Sequence, residues 1–143
     1  MAAHMVLDLL GGWKALGKKV GRELDFDEEI KRGFRSEVFL SFKTKTGLSN
    51  SVLSRILGVS DRSINRYHQS QRLKPLASDR LYRMAKVLAL AEDVLEDREQ
   101  ALSWMASNQK GLGNRKPFDL VETDAGAREV EEELLRIEHG FVA

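Results

Sequence analysis

The stretch that decides the fold is SNSVLSRILGVSDRSINRYHQ, residues 49–69. Ser49 or Asn50 is placed to cap a short helix, Asn50–Leu57, because a side-chain oxygen there accepts an otherwise orphaned amide. Leu53 and Leu57 form its inward side, and Ser54 is small enough to let a second helix approach. Gly58 permits a left-handed turn that a Cβ penalises. Val59 fills the corner. Ser60 or Asp61 caps the next helix, Asp61–Gln69, with Ile64 and Tyr67 inward. Helix, glycine turn and helix in this order are the sequence form of the helix-turn-helix.

The second helix leaves Arg62, Ser63, Asn65, Arg66 and Gln69 outward, with Ser60 at its cap. Arg pairs with guanine edges, Asn and Gln with adenine, and Ser adapts to either. These six residues are the candidate DNA-binding set. The competing reading is an ordinary helical hairpin with a solvated polar face.

Charge around this motif favours the first reading. Lys43 to Lys86 carries ten Lys or Arg against Asp61 and Asp79, a local net of +8. Such a field supplies the counterion-release part of nucleic-acid affinity. Residues 117–143 carry eight acids against Arg128 and Arg136, a net of −6. The whole 143-residue chain sums to only +1 because the two regions cancel. Opposite signs at two ends point to two partners of opposite charge.

Outward from the motif, helical spacing dominates and the fold class is all-α. Asp25 or Asp27 is expected to cap one helix running to about Lys45, with Ile30, Phe34, Val38 and Phe42 as its buried stripe. A further helix is expected over Leu76–Leu95, started by Ser78 or Asp79. Another covers Arg98–Asn108, and Asn108–Pro117 reads as a loop. A last helix, Asp124–His139, is capped by Thr123 or Asp124 and ended by Gly140. Its buried seam is Ala127, Val130, Leu134 and Ile137. The start of the chain looks different. Residues 1–4 resemble a cloning scar ahead of Met5, and the Gly-rich, basic remainder reads as a flexible arm, with Lys18 and Lys19 solvated. The expected division is therefore 1–24, a helix-turn-helix domain 25–96, and a small helical domain 97–143.

Several classes of function are excluded or disfavoured. The chain has no cysteine, so it has no disulfide, Cys-based zinc site or thiol nucleophile. The longest unbroken apolar run, Val87–Ala91, is too short to span a bilayer, and no secretory signal is legible, so a reducing cytoplasm is the expected compartment. Of three histidines, His4 falls in the presumed scar. His68 reads as a boundary or phosphate-facing residue rather than a base. His139 sits at a helix C-terminus, where the macrodipole favours a proton. Glu131, Glu132 and Glu133 are consecutive and diverge. No catalytic residue, metal site or cofactor is expected.

The order of motifs also resembles a known family. Gly33-Phe34, Leu48-Ser49 and the run Val59 to Arg66 come first. Ser78-Asp79-Arg80-Leu81-Tyr82-Arg83 and Ala101-Leu102-Ser103-Trp104-Met105 follow. The strongest block is Leu112 to Leu120, LGNRKPFDL, then Thr123, Gly126, Val130, Leu134, Ile137 and Gly140. Together they resemble the Xre/MbcA/ParS antitoxins of type II toxin–antitoxin systems, over roughly residues 30–141.

The resemblance implies an antitoxin whose helix-turn-helix binds the operator of its own operon and supports self-association as a homodimer or a larger complex with toxin. It implies that the C-terminal half binds a toxin of the RES family, which consumes NAD or transfers part of it. Candidate toxin contacts are Glu132, Glu133, Arg136, His139, Gly140 and Phe141. Two readings compete with it: a helix-turn-helix repressor whose C-terminal half only oligomerises, and an interaction adaptor whose hairpin binds nothing.

Overall fold

The computed structural model describes residues 2–140, with side chains from His4 onward. Among the described residues there are ten α-helices, and all but two are short. In chain order they are α1 (Ala2–Leu9), α2 (Gly12–Leu16), α3 (Glu23–Arg32), α4 (Ser36–Thr46), α5 (Asn50–Leu57), α6 (Asp61–His68), α7 (Pro75–Leu95), α8 (Arg98–Met105), α9 (Pro117–Leu120) and α10 (Asp124–Glu138). A 3-10 turn, Lys110–Leu112, interrupts the loop before α9. Among the described residues the only β-type pairing is a bridge between Gln109 and Arg115.

Helix α7 is the axis of the molecule. It spans 21 residues, about 30 Å, and packs against α1, α3, α5, α8 and α10. Its inward side is rich in small residues: Ala77, Ala85, Ala89 and Ala91 are buried beside Leu81, Met84, Val87 and Leu88. A helix surrounded on several sides has this character. The start is not at Ser78. Lys74 is the cap, and Pro75 takes the first turn, where its missing N–H costs nothing. Ser78 is instead a buried core residue.

The long helix expected from Asp25 to Lys45 is broken. Gly33 takes φ +90° and ends α3, and α4 restarts at Ser36. Two contacts explain the break. The Phe34 amide donates to the Ser78 hydroxyl at 2.8 Å, and the Phe34 carbonyl accepts from Leu73 N at 2.9 Å. A helix through this point would consume both groups internally. The Phe34 side chain stays in the core beside Val38, Phe39 and Phe42. Ile30 is only partly buried against it.

The N-terminal segment is not a loose arm. Val6, Leu9, Leu10, Leu16 and Val20 are buried in the common core, and α1 lies along α7. Gly11 and Gly17 mark the ends of its two short helices. The Trp13 indole donates to the Val20 carbonyl at 3.0 Å. Lys18 pairs with Glu28 at 2.8 Å, and Lys19 lies over the Trp13 ring. Asp8 ties α1 to two other helices, through Arg98 at 2.8 Å and Lys45 at 3.1 Å. The glycines do not prevent this packing, because burying Val6, Leu9 and Leu10 outweighs the roughly 1 kcal/mol that a glycine costs a helix.

Helix α10 closes the other side of α7 with Ala127, Val130 and Leu134. Thr123 is its cap, accepting from Gly126 N at 3.0 Å. Ile137 departs from the expected seam: it is 37% exposed.

Candidate functional site

The helix-turn-helix forms as its residues dictate. Ser49 Oγ accepts from Val52 N, and Ser60 Oγ accepts from Ser63 N, each at 3.2 Å. Leu53, Ile56, Leu57, Ile64 and Tyr67 are buried between α5, α6 and the helices behind them. Gly58 turns the chain at φ +66°, and the Arg80 guanidinium lies where its Cβ would stand. Phe39 of α4 meets the Tyr67 ring at 5.5 Å and fixes α6 from behind.

On the outer side of α6, Arg62, Asn65, Arg66 and Gln69 are exposed together. Neither arginine makes an ion pair among the described residues, so both charges stay available. The two serines of the candidate set are placed differently. Ser60 spends its oxygen on the cap, and the Ser63 hydroxyl lies 3.3 Å from it, half-buried.

The C-terminal half is anchored to this motif. Pro117 and Phe118 are buried, and the Leu120 carbonyl approaches Gly126 so closely that a Cβ there would lie 1.9 Å from it. Arg55 of α5 reaches Asp119 at 3.1 Å and Glu122 at 3.8 Å. Arg83 Nη1 donates to the Glu122 carbonyl at 3.4 Å.

Glu132, Leu135, Arg136 and His139 line a shallow groove of about 280 Å³ on the last two turns of α10. Leu135 is 42% exposed, and with Ile137 it makes the acidic helix end partly apolar. Neither residue is in the candidate contact set read from the sequence. The available signal was that Leu135, one position after Leu134, falls off the seam of Ala127, Val130 and Leu134. Glu133 stands apart from the other candidates. It is 13% exposed, binds Arg136 at 2.9 Å, and packs its carboxylate onto Gly111. It braces the 3-10 turn rather than facing outward. Gly140 is exposed at φ +77°, and Phe141 lies outside the described residues. Among the described residues no group of three or more His, Asp or Glu is arranged to hold a metal, and no helix is long and apolar enough to cross a membrane.

The fold is that of a helix-turn-helix protein with a second helical unit whose last helix is acidic at its end. Comparison with known proteins gives the class a family. Residues 25–86 match the model described as the antitoxin Xre-like helix-turn-helix domain. Residues 90–140 match the antitoxin Xre/MbcA/ParS C-terminal toxin-binding domain. An antitoxin Xre of Yersinia enterocolitica is 33% identical over 130 residues, covering 90% of this chain and 88% of that one. An antitoxin Xre of Pseudomonas putida is 32% identical over 77 residues, 54% of this chain and 48% of that one. In the crystal structure of the M. tuberculosis MbcT–MbcA toxin–antitoxin complex, one chain is similar with a TM-score of 0.55 and 26% identity, over 87% of this chain and 100% of that one.

The chain belongs to the Xre/MbcA/ParS antitoxin family. It is an antitoxin, not an enzyme, built of a helix-turn-helix domain and a toxin-binding C-terminal domain. The reading in which the C-terminal half only oligomerises gives way to toxin binding. The two matched segments meet inside α7, so both domains share one continuous helix and one core.

Proposed function

We propose that the toxin is of the RES family and that the last two turns of α10 cover its active site. The observation that carries this reading is the groove of Glu132, Leu135, Arg136 and His139 at the acidic end of the chain. A pocket that holds an anionic dinucleotide needs cations, and an acidic helix end complements them. Exposed Leu135 and Ile137 add the apolar anchors that such an interface requires. Glu132, Arg136, His139, Gly140 and Phe141 make the contacts, and Glu133 holds Arg136 in place.

The same protein represses its own operon through α6. Arg62, Asn65, Arg66 and Gln69 face the groove of the operator, while Ser60 and Ser63 set the start of the helix that carries them. The pairing of half-sites by helix-turn-helix dimers supports self-association.

Co-expression with the product of the adjacent gene tests the first part. A RES-type protein co-purifies with the wild type and not with Leu135→Glu; co-purification with both removes the groove from the interface. Gel shift with the upstream promoter tests the second part. Arg66→Ala weakens the shift, and the shift collapses as salt rises. Affinity unchanged in both experiments removes operator binding.

A further inference from the structure

A pocket of about 280 Å³ opens where α1, α3, α7 and the flank of α10 meet. Its walls are apolar: Val6 of α1, Phe26 of α3, and Tyr82 and Leu90 of α7. The Phe26 and Tyr82 rings, 4.8 Å apart and tilted by 32°, give it an aromatic side. Lys86 and Glu131 also line it. Lys86 is neutralised, since its Nζ lies 2.8 Å from Glu23 Oε1. Glu131 is not. It is half-buried, and among the described residues it has no ion pair and no hydrogen bond.

The pocket adjoins the groove at the end of α10. Leu135 of that groove stands one helical turn after Glu131, on the same stripe. The pocket also straddles the two domains. Phe26, Tyr82 and Lys86 belong to the helix-turn-helix domain, and Leu90 and Glu131 to the toxin-binding domain.

Size and lining select the occupant. Free small molecules are held in pockets of roughly 300–1,000 Å³. This pocket is just smaller, which suits one large side chain. Anchors of protein interfaces are often aromatic and fill such apolar pockets. The lone carboxylate of Glu131 calls for a donor, and Trp and Tyr carry an N–H or O–H on an otherwise apolar ring. The partner within reach is the one seated on the neighbouring turns of α10.

We propose that this pocket receives a Trp or Tyr side chain of the toxin, which donates its N–H or O–H to the Glu131 carboxylate. The proposal rests on the reading above that the toxin sits on the last two turns of α10. It gives the interface a second anchor and brings α1, α3 and the first part of α7 into contact with the toxin.

The test is competition at equilibrium: untagged full-length variants displace the tagged wild type from its complex with the toxin of the adjacent gene. Leu90→Trp fills the pocket from its own wall, and Glu131→Ala removes the acceptor. Each competes at least about tenfold less well than the wild type, the loss expected for a hydrogen bond to a charged group. Glu129→Ala, which removes an exposed acid elsewhere on α10, competes as the wild type does. Thermal melts identify any variant that is unfolded, and a labelling experiment on the wild type needs no variant. The partly exposed Lys86 amine loses reactivity toward acetic anhydride when toxin binds, and equal reactivity in the complex overturns the proposal. Folded Leu90→Trp and Glu131→Ala chains that compete as the wild type also overturn it, while failure of Leu135→Glu in the same assay keeps the terminal groove. If all three compete as the wild type, both readings fall. A Leu90→Trp chain whose toxin-free mass by light scattering differs from the wild type assigns the pocket to a second copy and overturns the proposal.

Discussion

The Phe34 amide and the Ser78 hydroxyl, 44 residues apart in the chain, are hydrogen-bonded at 2.8 Å in the core. The same hydroxyl donates to the Lys74 carbonyl one turn back, at 2.9 Å. One serine thus fixes where α3 gives way to α4 and how α7 starts. The recognition motif hangs from this junction, since α4 backs α6 and α7 backs α5.

Ser78→Ala leaves the Phe34 N–H buried and unpaired. The expected loss is about 1–3 kcal/mol of stability. Urea unfolding should show a lower midpoint with an unchanged slope. An unaltered midpoint would mean that another acceptor replaces the hydroxyl.

Gly33→Ala and Gly58→Ala should separate. Both residues have positive φ, which costs a side chain about 1–2 kcal/mol. At Gly58 the obstacle to a Cβ is the far end of the Arg80 side chain, which can move. At Gly33 it is the Leu73 carbonyl oxygen, 2.2 Å away in fixed backbone. Gly33→Ala is therefore the more damaging substitution in a denaturant melt, and equal losses would refute the packing argument.

Asp8→Asn should destabilise at neutral pH and not in acid. The hydrogen bond from Arg98 holds the Asp8 carboxyl below its ordinary value of 3.8, with Lys45 adding to it against the cost of burial. A lowered folded-state value gives stability that is present above the ordinary value and fades as pH falls through the folded one. The side chain is 48% exposed, so the effect at pH 7 is small, under about 1 kcal/mol. Melting temperatures of the two proteins, compared from neutral pH downward, should converge below about pH 4.

Leu134→Ala and Leu135→Glu lie side by side and should act oppositely. Leu134 is fully buried against the core, and its truncation costs about 2–5 kcal/mol. Leu135→Glu changes an exposed position, so the melt stays within about 0.5 kcal/mol while toxin capture is lost. Deleting all of α10 is a poorer test, because Val130 and Leu134 leave with it and the fold of the rest is exposed to water.

The legible parts of the molecule were those set by local rules. The caps, each the first of two candidates (Ser49 over Asn50, Ser60 over Asp61, Thr123 over Asp124), the Gly58 turn and the inward residues Leu53, Leu57, Ile64 and Tyr67 depend on neighbours three or four positions away. The structure reproduces each of them. The site was less legible. Ser60 and Ser63 are of the right type for DNA but are committed to each other. Glu133 is an acid on an acidic helix but is held by Arg136 and Gly111. Leu135 and Ile137 are apolar but remain partly exposed on α10.

The sequence alone determined the all-helical class, the helix-turn-helix and the two oppositely charged ends, because period, caps and charge are written along the chain. It misjudged the start of the chain and the run through Gly33. There the choice is made by partners far away in sequence: Ser78 and Leu73 for Phe34, Arg98 and Lys45 for Asp8, and the side of α7 for Leu9 and Leu10. Such contacts outweigh local propensity by burying apolar surface and satisfying backbone groups at the same time. No window of neighbouring residues contains that information.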